Sequence, residues 1–255
     1  MLIHNIAITG LFQQGKSLTV NCLLETHASL IGMGVATTRK VTLYQLKNDI
    51  FISDTPGFES TGINAANDTF EAETAVSQAD FIVFVVPNQQ LDQPTLNLLF
   101  DMLHKSLAGK PLALLMNCQD RSNLDTSLQN PLSEINLETA KTFSSQLGGL
   151  QVVSIDGKSS VFTYNPAWYW YGLVDQNNHL VENLDNEQKE ILRSINYTIS
   201  IYREYEDRAI PAAEFMVNSR LGEFKTFLEE RFAPQVPQEP LPIVVNPGRT
   251  RRLGW

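Results

Sequence analysis

The sequence has few of the residues that would support a disulfide framework, a zinc site or a membrane span. Its two cysteines, Cys22 and Cys118, lack CxxC spacing and histidine-rich neighbours, so neither a disulfide framework nor a zinc site is predicted. The longest apolar run, 81–86, is far shorter than the roughly 20 residues needed to cross a bilayer. Residues 1–9 lack a basic segment and a cleavage site, which predicts no signal peptide. We therefore expect a cytoplasmic protein whose membrane association, if there is one, is not integral.

Positive charge is also scarce. The chain has 19 lysines and arginines against 28 aspartates and glutamates, a formal net charge of −9. This balance argues against sequence-independent binding of nucleic acid or of anionic lipid as the main activity. We therefore expect no specific nucleic-acid partner. The 255 residues are 43% hydrophobic, which is enough for one elaborated domain with a large core.

Short apolar runs alternate with helix-compatible stretches over the first 155 residues. The runs at 2–9, 81–86 and 112–116 predict buried strands, and 150–154 predicts the last strand. This alternation predicts an α/β fold with three layers, in which helices cover both faces of a mainly parallel sheet. Ligands of such sheets bind beyond the carboxyl ends of the strands, which is where the polar motifs of this chain stand.

The rest of the chain follows a different pattern. Residues 162–171 contain six aromatics, which we interpret as rings that fill the core, the alternative being a partner or dimer surface. Helices are predicted over 184–204 and 211–231.

Five prolines between 234 and 247 predict an extended tail. We divide the chain into one domain, 1–232, with an insertion at 156–184 and C-terminal helices, and a tail at 233–255 that is rich in proline and contains arginine.

The most specific motif is GLFQQGKS, which fits GxxxxGK[ST] and lies between a predicted strand and a predicted helix. In this context the pattern is typical of a phosphate-binding loop. Loop amides and the helix N-terminus offer donors and partial positive charge to phosphates. Lys16 would bind the β- and γ-phosphates, and the Ser17 hydroxyl would bind Mg²⁺. The predicted nucleotide contacts of this segment are Gly10, Gln13, Gln14, Gly15, Lys16, Ser17 and Leu18.

Two further segments predict contacts to the metal and to the γ-phosphate. Asp54 opens the sequence DTPG after a predicted strand; its carboxylate could hold a water of the Mg²⁺ shell, and the Gly57 amide could donate to the γ-phosphate. A switch loop needs a threonine whose hydroxyl reaches Mg²⁺ and whose amide reaches the γ-phosphate. We assign this role to Thr38, with Thr37 as the alternative. The predicted metal site is Ser17, Thr38 and Asp54.

A third segment, NCQD, predicts recognition of guanine. Asp120 could accept hydrogen bonds from the guanine N1–H and exocyclic amine, a pair that adenine does not offer, while Asn117 would stabilise the loop and meet the base edge. Cys118 stands where many guanine-binding loops have lysine, which predicts weaker affinity or faster nucleotide release; for its thiol we favour buried packing over redox chemistry. Ser154 and Ile155 follow the predicted last strand, where a backbone amide often contacts the guanine oxygen.

In this order the motifs resemble those of a translation-factor-type P-loop GTPase. Residues 5–24 resemble the opening of bacterial dynamin-like GTPases, 32–38 resemble their switch segment, and 217–231 loosely resemble the last helix of their G domain. The resemblance implies that the protein binds GTP and GDP with Mg²⁺, hydrolyses GTP, and acts as a nucleotide-dependent switch. A homodimer formed through the G domain is a further expectation.

The sequence also departs from these families. Leu18 stands where the dynamin-like proteins often have serine or threonine, and Phe58 follows DTPG where Ras-like enzymes carry the glutamine that orients water. Gln13, in the middle of the loop, is an alternative for that role, so the predicted catalytic residues are Lys16, Gln13 and Thr38. These departures leave open a slow GTPase, a GTP-gated binding or scaffold module with little or no hydrolysis, and an ATPase.

Overall fold

The computed structural model describes residues 3–11, 13–31, 38–58, 65–86, 109–118, 148–176, 178–192 and 211–233, with isolated positions between 97 and 107 and at 145. The predictions for Thr37, for Asp120 and for the tail from 234 onward lie outside the described residues.

Seven strands of the described chain form one sheet with the order β2-β3-β1-β4-β5-β6, and β7 also pairs with β5. The strands are β1 (His4–Gly10), β2 (Thr42–Lys47), β3 (Ile50–Asp54), β4 (Phe81–Val86), β5 (Pro111–Asn117), β6 (Gln151–Val152) and β7 (Val161–Tyr164). All pairings are parallel except that of β2 with β3, which is antiparallel. The mainly parallel sheet predicted from the sequence is confirmed.

Helices pack on both faces of this sheet. They are α1 (Lys16–Leu24), α2 (Ala65–Gln78), α3 (Pro166–Gln176), α4 (Ala212–Asn218) and α5 (Leu221–Arg231). A 3₁₀ turn spans Asn178–Val181, and 186–192 are also helical. In the part of the chain that the structure describes, no helix combines the length and the apolar character needed to cross a membrane.

Strand β4 shows how the two faces are filled. Its residues Phe81, Val83 and Val85 lie in the cluster that includes α1, α3, α4 and α5. The alternate residues, Ile82, Phe84 and Val86, lie in the cluster with α2. Successive side chains of a strand point to opposite faces, so a continuous apolar run is the sequence signature of a strand that is covered on both sides.

The aromatic segment forms β7 and α3. Most of its rings are buried, and they are Phe162, Tyr164, Trp168, Tyr169 and Trp170. The interpretation that these rings fill the core is confirmed. The strand at 161–164 was not predicted: it lies in the stretch that we had assigned to an insertion, yet it pairs with β5 inside the main sheet.

The prediction of one helix over 211–231 was wrong. The segment forms α4 and α5, because Arg220 adopts a left-handed backbone conformation (φ 61°) between them. The Arg220 guanidinium donates to Asp156 at 3.0 Å and lies 4.2 Å from the centre of the Phe162 ring. These contacts hold a conformation that residues with a Cβ seldom adopt.

Candidate nucleotide-binding site

The loop between β1 and α1 has the backbone geometry that a phosphate-binding loop requires. A Cβ at Gly10 would lie 2.4 Å from the carbonyl oxygen of Val85, so only glycine allows β1 and β4 to approach this closely. Gly15 adopts φ 79° immediately before α1, and Gln13 is also left-handed at φ 61°. The loop therefore curves around the N-terminus of α1, where backbone N–H groups favour an anion.

The Lys16 amine lies inside this loop. It is buried, and its Nζ donates to the backbone oxygen of Leu11 at 2.9 Å. Burial lowers the pKa of Lys16 from 10.5 to about 8, and the charge of Asp54 opposes that shift. A buried cation that is bonded to one carbonyl is poised to exchange that partner for a phosphate oxygen.

The three residues predicted to bind the metal lie together. Ser17 Oγ donates to Asp54 Oδ2 at 2.8 Å and lies 3.1 Å from Thr38 Oγ1, which is itself 3.5 Å from the same carboxylate oxygen. Asp54 Oδ1 is buried and has no hydrogen-bond partner among the residues that the structure describes. Two hydroxyls and a carboxylate with one unsatisfied oxygen are the hard oxygen donors that suit Mg²⁺ and its waters.

Sequence reasoning missed a further contact of this carboxylate. Ser29 Oγ donates to Asp54 Oδ2 at 2.5 Å. Burial raises the pKa of the Asp54 carboxyl, and the hydrogen bonds from Ser29 and Ser17 and the charge of Lys16 oppose the rise. Ser29 belongs to none of the motifs and stands 25 positions before Asp54, so no local pattern could have found it.

The DTPG turn packs directly against the phosphate loop. Thr55 Oγ1 donates to the backbone oxygen of Ile8 at 3.0 Å, and the Phe58 N–H donates to that of Gly10 at 3.1 Å. Gly57 is buried in this turn. In the phosphate loop, by contrast, the side chain of Gln13 is exposed. The Phe58 ring is buried in the cluster beside α2, so the position after DTPG serves packing.

The base-side segment begins at the end of β5. Asn117 Nδ2 donates to the backbone oxygen of Gln14 at 3.0 Å, which ties this segment to the phosphate loop. Cys118 is fully buried, and its N–H donates to the backbone oxygen of Tyr164 at 2.8 Å. The expectation that Cys118 packs in the interior is confirmed.

The structure does not bring Ser154 and Ile155 to this end of the sheet. They follow β6, which pairs with Pro111 and Leu112 at the opposite end of β5. Ser154 Oγ instead donates to the backbone oxygen of Ser159 at 2.7 Å.

The neighbour of Asn117 across the sheet is Tyr164 of β7. Asn165 follows it and donates through Nδ2 to the backbone oxygen of Cys118 at 3.0 Å. The apolar run VFTY that ends at an Asn-Pro pair was the sequence signal for this strand.

Comparison with known proteins agrees with the motifs. Residues 5–118, less than half of the chain, match the family model described as "50S ribosome-binding GTPase". No curated protein matches the chain.

Several solved structures resemble the chain at low sequence identity. A variant of Era from Aquifex aeolicus bound to GDP and AlF₄⁻ is 19% identical, covering 65% of this chain and 52% of Era, with a TM-score of 0.48. The elongation factor SelB from Methanococcus maripaludis is 16% identical over 78% of this chain and 35% of its own (TM-score 0.43). A probable GTP-binding protein, EngB, is 15% identical over 74% of this chain and 99% of its own (TM-score 0.39).

The chain therefore spans about half the length of Era. The motifs, the strand order and the family match give one conclusion: the chain has the mixed α/β fold of the P-loop GTPases, with a mostly parallel sheet followed by C-terminal helices.

Proposed function

We propose that this protein binds GTP with Mg²⁺, hydrolyses it slowly to GDP and phosphate, and acts as a nucleotide-dependent switch. One observation carries the proposal. Beside the buried Lys16 amine in the phosphate loop, Ser17 and Thr38 converge on the buried carboxylate of Asp54. The family matched by 5–118 is a family of GTPases.

The chemistry follows from these positions. Loop amides and the Lys16 amine would hold the triphosphate, and Mg²⁺ held through Ser17, Thr38 and Asp54 would neutralise charge on its oxygens. Water attacks the γ-phosphorus, the bond to the β-phosphate oxygen breaks, and the proton of the water leaves with the released phosphate. Lys16 counters the charge that develops on the β–γ bridging oxygen.

A switch requires that Thr38 respond to the γ-phosphate. Thr38 follows the segment 32–37 directly, and Arg39 beside it donates to Asp68 of α2 at 2.9 Å. This ion pair connects the segment of Thr38 to α2, the helix that follows DTPG along the chain. Loss of the γ-phosphate would release Thr38 and, through Arg39, act on α2.

Selectivity for guanine is assigned to Asp120, and the position of Asn117 supports the assignment. Asn117, three residues earlier, is fixed on the phosphate loop through the backbone oxygen of Gln14. The segment NCQD therefore begins at a residue that is held against the phosphate loop. Cys118 supplies no lysine stem to cover the base, which predicts modest affinity.

The buried Phe58 leaves the attacking water without a glutamine after DTPG. We propose that the exposed Gln13 orients the water, and that a homodimer through the G domain accelerates the reaction, in line with the dynamin-like resemblance. The same observation on Phe58 favours one alternative, a GTP-gated binding module with little or no turnover.

One set of measurements tests these proposals. GTP and ATP affinities of the full chain are measured with Mg²⁺, followed by phosphate release in a single turnover over a range of protein concentrations. We expect preference for GTP, lost in Asp120→Ala and kept in Asp101→Ala, an exposed carboxylate elsewhere. A rate that rises with protein concentration supports the dimer. Equal binding of both nucleotides contradicts the guanine assignment, and the absence of phosphate release at every concentration favours the binding module.

A further inference from the structure

Asp54 accepts hydrogen bonds from two serines, only one of which belongs to a nucleotide-binding motif. Ser29 Oγ lies 2.5 Å from Asp54 Oδ2, closer than Ser17 Oγ at 2.8 Å. Both Ser29 and Asp54 are buried, with 5% and 0% of their surfaces exposed. Hydrogen bonds to a charged acceptor are short and strong, so Ser29 contributes to the orientation of this carboxylate.

The two oxygens of Asp54 consequently differ. Oδ2 accepts from both serines and lies 3.5 Å from the Thr38 hydroxyl. Oδ1 is equally buried and lacks a hydrogen-bond partner within the described part of the chain. A buried carboxylate oxygen without a donor is costly, and a water of a bound Mg²⁺ would satisfy it.

The backbone of Ser29 is held in place by the side chain of Asn21. Asn21 Oδ1 accepts from the N–H groups of Ala28 and Ser29 at 3.0 and 2.7 Å, and its Nδ2 donates to the backbone oxygen of Ser29 at 2.8 Å. Asn21 is fully buried in α1, four residues after Ser17, and residues four apart share one face of a helix. The helix that presents Ser17 thus also fixes Ser29.

The chain is fixed again two residues later. Gln188, from the helical stretch 186–192, donates through Nε2 to the backbone oxygen of Ile31 at 2.8 Å and accepts from its N–H at 3.0 Å. Gln188 is 4% exposed. Ser29 therefore lies in a segment whose backbone is held on both sides, which is the rigidity that a supporting residue needs.

We propose that Ser29, fixed by Asn21, is a positioning residue of the magnesium site: it saturates Asp54 Oδ2 and leaves Oδ1 for a water of the metal shell. The inference rests on the proposed binding of nucleotide with Mg²⁺. It predicts that loss of the Ser29 hydroxyl weakens the contribution of Mg²⁺ to nucleotide binding and leaves the metal-independent contacts of the phosphate loop unchanged.

The experiment compares Ser29→Ala with Ser219→Ala in the full chain. Ser219 is a matched control because it is also buried, and its Oγ donates to the backbone oxygen of Met216 at 2.6 Å within its own turn. GDP affinity is measured in EDTA and over a Mg²⁺ titration, and thermal unfolding establishes that each variant is folded. Ser29→Cys, which conserves volume and replaces the strong donor by a weak one, serves if Ser29→Ala does not fold.

We expect the Mg²⁺ concentration at half-maximal effect to rise about 10- to 100-fold in Ser29→Ala, the usual range for a residue that orients a metal ligand. Affinity in EDTA should change by less than about twofold, since the phosphate-loop donors are intact. A Mg²⁺ requirement equal to that of Ser219→Ala would overturn the inference, as would an equal loss in EDTA and in Mg²⁺. If the wild-type chain itself binds GDP without any Mg²⁺ dependence, the proposed function fails instead.

Discussion

The buried amine of Lys16 makes nucleotide affinity depend on pH in a direction that the structure fixes. Burial lowers the pKa of Lys16 to about 8 in the free protein. Bound phosphates restore the charged form, so the pKa in the complex is higher than in the free protein. Raising the pH through 8 deprotonates free Lys16 only, and binding then requires that the proton be taken up again. Affinity must therefore fall as the pH rises.

The size of the effect follows from that pKa. With a pKa of about 8, about 90% of the free protein carries the charged amine at pH 7 and about a quarter at pH 8.5. The dissociation constant for GDP should rise about fourfold over that interval, provided that the complex stays protonated. At pH 8 the binding of one nucleotide should take up about half a proton.

Calorimetric titrations in buffers of different ionisation enthalpy measure both quantities. Lys16→Met is the control, because it keeps the length of the side chain without an amine and retains every other pH effect, including ionisation of the phosphates and of the base. We expect its weaker affinity to vary less steeply with pH than that of the wild type. Identical pH profiles for the two proteins would show that Lys16 is fully charged before nucleotide binds, and would refute the reasoning.

Three further substitutions test the supports of the site. Gly10→Ala would place a Cβ 2.4 Å from the Val85 carbonyl and should cost more than about 3 kcal/mol in denaturant unfolding, whereas Gly148→Ala, which has open space, should cost far less; equal losses would contradict the packing argument. Tyr164→Phe removes the hydroxyl 2.6 Å from Thr19 Oγ1 and should cost about 1 kcal/mol in the same assay; a stability equal to wild type would show that this bond contributes nothing. Arg39→Ala removes the ion pair with Asp68 and should cost about 1 to 3 kcal/mol, because the Asp68 side chain is only 1% exposed and its buried carboxylate would lose a charged donor; a loss below about 0.5 kcal/mol, as for a surface pair, would contradict this reasoning.

Most of the fold and the core of the site follow from local sequence patterns. The geometry of the phosphate-binding loop can be predicted from a short stretch of sequence. The strand, GxxxxGKS and the helix follow one another directly, so the glycines, the loop amides and the helix N-terminus are all close in sequence. The order of the motifs then placed Thr38 and Asp54 at one end of a parallel sheet, where the structure brings both to Ser17.

The missed contacts have a common cause. Ser29 reaches Asp54 across 25 positions, and Gln188 reaches Ile31 across 157; such pairs depend on packing, which leaves no periodic signal in one sequence. The prediction that the run at 150–154 leads to the base-side segment failed for a related reason. The two runs QVVS and VFTY are equally strand-like, and only the register with β5 decides which of them reaches Asn117.

The part of the chain from β7 onward supports the nucleotide site at three points. Tyr164 bonds Thr19 of α1, Asn165 bonds the backbone of Cys118 in the base-side segment, and Gln188 bonds Ile31 directly before the switch segment. The three contacts reach the helix after the phosphate loop, the base-side segment and the residue before the switch segment, and all three originate beyond the residues that the family model matches. The aromatic rings of β7 and α3 are buried in one cluster with the apolar residues of α1. This packing fixes Tyr164 and Asn165, which lie among those rings in the sequence. A change in the packing of this region would therefore alter the phosphate, base and switch sides of the site together.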